Sequence, residues 1–380
     1  MRYPLRILLA APLLIVSSVV RAEEPPVPPP PSLAATTWIL VDQASGRTLA
    51  GKDIDVGVEP ASLTKLMTAY AVFRALRDKK LALDTEVPVS ERAWRAEGSR
   101  TFVDVDSRVP VEVLIQGMIV QSGNDATIAL AEAVAGTEDT FAALMNQYSE
   151  RLGMKHSHFE NSTGLPGREH RMTVADIARL TRAIIREFPD YYRWYSQREF
   201  TWNGITQPNR NGLLARDPSV DGVKTGMTDA AGYCLVSSAE RDGMRLVAVV
   251  MGARDMKARE DASLALLNYG FSFYETRVLQ PVGTEMAVHR VYKARGGRAA
   301  VGVARNFTVT LPRGQADRVE LRLELAPRVF APLTVADQVG VVRAMVDGEV
   351  VAEAPLHPLA EVPRGNIFRR IWDTILSWFA

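Results

Sequence analysis

The sequence predicts an α+β catalytic body, a small all-β domain behind it and a terminal amphipathic helix. Three observations carry this. Apolar residues recur at helical spacing through much of 62–188; two β-rich runs at 233–239 and 245–251 meet at Asp242-Gly243, a two-residue hairpin signal; and after 280 short β-rich runs alternate with Gly and Pro turns. With 380 residues, 47% of them apolar, the chain is long enough to bury two cores. Its 45 Lys and Arg against 44 Asp and Glu leave a net charge of +1, so no global field draws it to nucleic acid.

The N-terminus reads as a signal peptide over 1–22. Arg2 and Arg6 precede an apolar run at 7–20, and Val20 and Ala22 suit a cleavage site. The run is shorter than the about 20 residues that a spanning helix needs, which disfavours the alternative of a short membrane anchor; either way the body is expected to be exported. Cys234 is the one cysteine, which excludes a disulfide within the chain. Six prolines then crowd 25–31, and residues 23–33 read as an extended spacer acting as a tether.

The catalytic body is expected over 34–280. It opens with a strand at 36–42, a turn at Ser45-Gly46 and a return at 47–50. Gly46 to Lys52 mimics most of a phosphate-binding loop, but Asp53 stands where a magnesium-binding hydroxyl belongs, and the segment sits inside a hairpin. Next, Ser62-Leu63-Thr64-Lys65 starts a helix whose Leu66, Met67, Tyr70, Phe73 and Leu76 form one apolar stripe. Ser62 and Lys65, three residues apart, share a face, and the helix N-terminus offers positive potential and free N–H groups. Alone, such a pair is as readily a helix cap beside a surface lysine.

Two further helices are expected at 110–121 and 126–135, with Ser122-Gly123-Asn124 in the tight turn between them. That turn can fix a hydroxyl and an amide side by side, although these are also ordinary turn residues. Thr137 should cap a helix stopped by Gly153, and Thr173 with Asp176 resembles a capping box for a helix ending near Pro189. His156, His158 and His170 lack metal-ligand spacing, so no metal or other cofactor is expected. Lys224-Thr225-Gly226 then opens the strand-rich part, where a lysine at a strand start, a hydroxyl and a glycine could receive a carboxylate and a closely approaching ligand. Cys234 reads as packing.

In order and spread, Ser62-x-x-Lys65, Ser122-x-Asn124 and Lys224-Thr225-Gly226 resemble the motifs of the penicillin-recognising serine acyltransferases. Pro60 to Lys65, Gln121 to Ala126, Asn209 to Leu214 and Val220 to Gly226 narrow the likeness to the low-molecular-mass D-alanyl-D-alanine carboxypeptidases, and it covers nearly all the mature chain. The resemblance implies a β-lactamase/DD-peptidase-like fold, an antiparallel sheet with helices. It also implies that Ser62 attacks the carbonyl between two D-alanines while Lys65 takes its proton. Ser122 would relay a proton to the leaving amine, Asn124 would bind the substrate amide, and Lys224, Thr225, Gly226 and Arg254 would receive the terminal carboxylate. Backbone N–H groups of Ser62 and Met227 would form the oxyanion hole. Peptidoglycan stem peptides become the substrate and β-lactams covalent inhibitors; a DD-endopeptidase, a β-lactamase and a weakly catalytic wall-binding scaffold are the alternatives. Met227 departs from the family's frequent histidine, and Ser-Gly-Asn from the Ser-Asp-Asn of class A β-lactamases. Glu199-x-x-x-Asn203 lies too close to Lys224 to serve as a β-lactamase deacylation pair.

An all-β domain is expected at 281–362, from runs at 286–292, 299–311, 319–325 and 341–353. Residues 363–380 read as an amphipathic helix. Ile367, Phe368, Ile371, Trp372, Ile375, Leu376, Trp378 and Phe379 fall on one half of the wheel and Arg369, Arg370, Asp373, Thr374 and Ser377 on the other. Such a helix lies in a lipid interface, with Trp372 and Trp378 as anchors. The expected place is the periplasm, on the outer face of the inner membrane; whether the chain forms a homodimer is left open.

Overall fold

The computed structural model describes residues 27–376. The expected signal peptide, the start of the spacer and Trp378 and Phe379 lie outside the described residues.

Five antiparallel strands form the central sheet: β1 (Thr37–Asp42), β2 (Thr48–Lys52), β3 (Val220–Thr228), β4 (Gly232–Arg241) and β5 (Met244–Ala253), in the order β2-β1-β5-β4-β3. Both faces are covered, and the two-residue period of a strand divides the side chains between them. Ile39, Val41, Val247, Val249 and Met251 join one core, while Trp38, Leu40, Leu246, Ala248 and Val250 join the other. The β4–β5 hairpin turns at Asp242-Gly243, both at positive φ, as a tight two-residue turn requires.

The first core is helical: α1 (Lys65–Arg77), α2 (Val111–Val120), α3 (Asn124–Ala135), α4 (Glu138–Leu152) and α5 (Val174–Glu187). Helix α1 does not bury one stripe, as the sequence suggests. Every residue from Lys65 to Phe73 is buried, because α2, α3, α4 and α5 surround it. The small Ala69, Ala71 and Thr68 let these neighbours close in. Thr137 and Thr173 cap α4 and α5 as expected, but Asp176 does not complete a box. Its carboxylate instead accepts from the His156 backbone N–H and the Ser157 hydroxyl, tying the preceding loop to the helix start.

On the opposite face lies α6 (Met256–Phe273). The described part of the spacer packs there and is no free tether: Val27 and Leu33 lie against the second core, and the Tyr269 hydroxyl donates to the Pro28 carbonyl at 2.9 Å.

The all-β domain comprises β6 (Tyr274–Gln280), β7 (Ala287–Arg290), β8 (Arg298–Val303), β9 (Phe307–Pro312), β10 (Glu320–Leu325), β11 (Gly340–Val346) and β12 (Glu349–Pro358). Because β6 pairs with β9, the boundary falls after α6, near 273, and not at 280. The two domains meet through polar contacts, in which Arg47 Nη1 donates to the Thr310 carbonyl and the Thr276 hydroxyl to Asp42.

Helix α7 (Ile367–Leu376) closes the described chain. Asp373 on its polar side turns toward the protein: it is buried and accepts from the Lys293 backbone N–H at 2.6 Å and from Arg369 Nε at 3.2 Å. Ile367, Phe368, Ile371 and Trp372 point outward, with Phe368 79% exposed. Among the described residues, no helix is long and apolar enough to cross a membrane.

Candidate active site

Ser62 sits in a single 3-10 turn, Ala61–Thr64, that runs directly into α1. This turn aims the Ser62 hydroxyl back along the helix face that carries Lys65, whose Nζ donates to Ser62 Oγ at 3.0 Å. The Lys65 side chain is 1% exposed and makes two further bonds, to Asn124 Oδ1 at 2.6 Å and to the Thr163 carbonyl at 2.7 Å. Burial, helped by the Arg210 charge, lowers its pKa to about 7 against the pull of Asp125 and Glu138. Near neutrality, then, much of Lys65 is a free amine within reach of a hydroxyl.

Ser122 occupies the turn between α2 and α3 at positive φ, and its buried hydroxyl has no hydrogen-bond partner among the described residues. An unbonded buried hydroxyl costs stability, and here it lines the same cleft as Ser62. Gly123 is required in this turn, since a side chain there would collide with the Thr101 hydroxyl. Asn124 lines the cleft and is also bonded within the chain. Its amide oxygen receives Lys65 and its Nδ2 donates to the Glu97 carbonyl at 2.6 Å, so both ends are engaged within the chain.

Lys224 stands in the middle of β3 and not at its start, buried, with Nζ donating to the Thr225 carbonyl at 3.0 Å. Burial, reinforced by the charges of Lys65, Arg210 and Arg259, holds its pKa well below the usual lysine value. Gly226 serves the protein's own backbone. A Cβ there would lie 3.2 Å from the Pro60 carbonyl and 3.3 Å from the Ser62 nitrogen, so glycine lets β3 close on the Ser62 turn. Met227, next along, is half exposed at the rim.

These residues surround a cleft of about 620 Å³, lined by Ser62, Ser122 and Asn124 together with Thr225, Gly226 and Met227. Arg254 is not among its lining. It projects into solvent, 81% exposed, and pairs with Asp255. The sequence missed two cations that do line the cleft, Arg210 and Arg259. Arg210 Nε donates to Gln121 Oε1 at 3.4 Å, while buried Arg259 donates to the carbonyls of Gly226, Cys234 and Arg210. Arg210 falls inside a stretch that carries the family likeness; nothing in the α6 sequence marks Arg259. Four basic side chains, Lys65, Lys224, Arg210 and Arg259, therefore converge, none in an ion pair with a carboxylate among the described residues. Such an arrangement favours an anionic ligand.

The remaining candidates are structural. His170 Nε2 bonds the Thr64 hydroxyl at 2.9 Å, and burial lowers its pKa to about 4. Cys234 is buried, which pushes its thiol up to about 11. Asn203 lies beyond the Glu199–Trp202 strand in a short hairpin, its amide near Asp104.

The chain as a whole matches a known family. A family model described as D-alanyl-D-alanine carboxypeptidase matches residues 22–255. The chain belongs to this D-alanyl-D-alanine carboxypeptidase family. A second model, the C-terminal domain of penicillin-binding protein 5, matches residues 274–364, in agreement with a boundary near 273. The family member DacA of Escherichia coli (strain K12), a D-alanyl-D-alanine carboxypeptidase, is 40% identical over 353 residues, spanning 91% of this chain and 88% of that one. DacF of Bacillus subtilis is 30% identical over 350 residues, 90% of each chain. Among solved structures, penicillin binding protein 5 from Haemophilus influenzae superposes with a TM-score of 0.81 at 39% identity, covering 88% of this chain and 99% of that one. The carboxypeptidase DacD from Francisella tularensis gives 0.72 at 32% identity, covering 90% and 97%.

Proposed function

We propose that this protein is a serine D-Ala-D-Ala carboxypeptidase that removes the terminal D-alanine from peptidoglycan stem pentapeptides and is acylated by penicillins at Ser62. The observation that carries this reading is the bond from a buried Lys65, its pKa lowered to about 7, to the Ser62 hydroxyl at the foot of a cationic cleft.

The stem peptide enters with its terminal carboxylate toward Lys224, Thr225 and Arg210. Charge-assisted hydrogen bonds hold it, and the anion restores the proton that burial makes Lys224 reluctant to carry. Arg210 takes the place that the sequence gave to Arg254. The neutral Lys65 amine removes the Ser62 proton as Oγ attacks the carbonyl between the two D-alanines. Negative charge then grows on the carbonyl oxygen between the backbone N–H groups of Ser62 and Met227, which Gly226 brings together. Collapse breaks the C–N bond, and the Lys65 proton passes through Ser122 to the departing amine. Water adds to the acyl-enzyme, returns the proton to Ser62 and releases the shortened stem. A penicillin forms the same ester, but its ring-opened leaving group stays attached and obstructs the water. Asn124 is a positioning residue that fixes the Lys65 amine.

Helix α7 lies on the outer face of the inner membrane and holds the enzyme in the periplasm. Its outward apolar row and its buried Asp373 support this, since a helix packed only for stability would face the other way.

D-alanine release from a pentapeptide ending in D-Ala-D-Ala tests the reading. Release by the wild type that Ser62→Ala abolishes is expected. A folded wild type that releases none, yet cuts cross-linked stems, would be an endopeptidase.

A further inference from the structure

Residues 94–105 belong to none of the three motifs, yet they are wired to the active site. The carbonyls of Glu97 and Ser99 accept from the Asn124 side chain and backbone N–H at 2.6 and 2.7 Å. The next residue, Asp125, is fully buried, and its carboxylate receives the consecutive backbone N–H groups of Thr101, Phe102 and Val103 at 2.8, 2.8 and 3.3 Å. Three amides gathered on one buried carboxylate fix the local backbone. The conformation they fix is unfavourable: Phe102 has φ of 65°, a region that a bulky side chain rarely enters.

That strain does not serve packing, because the Phe102 ring is 46% exposed. Beside it, the Arg100 guanidinium lies 6.0 Å from the Phe102 ring centre and 5.9 Å from that of Trp94, which is 37% exposed. Arg100 is itself anchored, donating to the Trp94 carbonyl and lying 3.8 Å from Asp125. Two exposed aromatic rings flanking a fixed cation, with their backbone strained into place, form a prepared surface. It continues directly from Gly98 and Ser99, which line the cleft wall facing β3.

We propose that Trp94, Arg100 and Phe102 form a platform that seats the sugar-bearing portion of the substrate, the glycan to which the stem peptide is attached. This rests on the carboxypeptidase reading. With the terminal carboxylate held at the β3 wall, the glycan-linked end of the stem leaves along the facing wall. Sugar rings present apolar C–H faces that stack on aromatic rings, and Arg100 supplies donors for their oxygens. A lipid surface fits less well, because the outward apolar row of the protein is on α7.

The test compares D-alanine release from a free stem pentapeptide and from the same peptide on its disaccharide. Wild type and Phe102→Gly are compared, glycine keeping the positive φ and the N–H bond to Asp125, with Phe102→Tyr as rescue. The wild type is expected to show a kcat/KM at least fivefold higher for the disaccharide form. Phe102→Gly should bring that ratio to near one, and Phe102→Tyr should restore it. A wild-type ratio near one, or a ratio that Phe102→Gly leaves unchanged, overturns the platform while the carboxypeptidase stands. Release from neither substrate by folded wild type removes the carboxypeptidase reading, and the platform with it.

Discussion

The cleft and the terminal helix break the ordinary rule of burial in opposite directions. In the cleft, Lys65, Lys224 and the Ser122 hydroxyl are buried without carboxylate partners, where water would serve each better. At the terminus, Ile367, Phe368, Ile371 and Trp372 face outward while Asp373 is buried. A misplaced polar group inside marks where charge changes during a reaction; a misplaced apolar group outside marks what the surface is to meet. The β-domain between them buries Val301, Val342 and Leu356 in a core of its own.

The comparison breaks most severely at Ser62 and Lys65. Either Ser62→Ala or Lys65→Ala should lower kcat for D-alanine release by at least about 10⁴-fold, because nucleophile and base act as a unit. Far-ultraviolet circular dichroism should remain native. The equivalent break at the other end is Ile371→Ser with Trp372→Ser. Each lost apolar side chain removes about 1.5–3 kcal/mol of transfer free energy, so partition onto anionic vesicles should fall by about two orders of magnitude or more. Turnover of a soluble peptide should stay within twofold, and a parallel loss of turnover would contradict the separation of the two regions.

A smaller effect sharpens the assignment of the anion-holding cation. Arg210→Ala should raise KM for the pentapeptide by about 10- to 100-fold, the loss of one charge-assisted contact. Arg254→Ala should change it by less than twofold, and steady-state kinetics on the pair would expose the reverse order at once. The smallest is Gly226→Ala. A methyl group 3.2 Å from the Pro60 carbonyl must shift the strand by a few tenths of an ångström, and a loss of about tenfold in acylation rate is expected from so slight a misplacement.

Much of this was legible before the structure because local rules sufficed. Thr137 and Gly153 bound α4, Asp242-Gly243 turned the β4–β5 hairpin, and the order of Ser62, Ser122 and Lys224 pointed to one site. What was not legible depends on neighbours distant in sequence. The total burial of α1 follows from four surrounding elements, and its own periodicity could show only a stripe. Arg254 and Arg210 are indistinguishable as residue types; only the course of the loop before the Leu213–Arg216 helical turn brings Arg210 to the cleft. The pairing of β6 with β9 moved the domain boundary because a strand's partner is not written in the strand. Asn124 was assigned to substrate from its motif, but its bonds to Lys65 and Glu97 emerge only when three loops meet.

The proposed role of Lys65 as the base follows from its burial, which disfavours the charged form. Its pKa is lowered to about 7, so below that pH the amine is protonated and cannot accept the Ser62 proton, whereas above it the base is free. The direct measurement is the second-order rate of Ser62 acylation by a fluorescent penicillin between pH 5 and 9. The rate should climb about tenfold per unit below pH 6 and level off above about pH 8, with its midpoint near 7. A flat profile, or a rise that continues toward the pKa of an ordinary lysine, would contradict it.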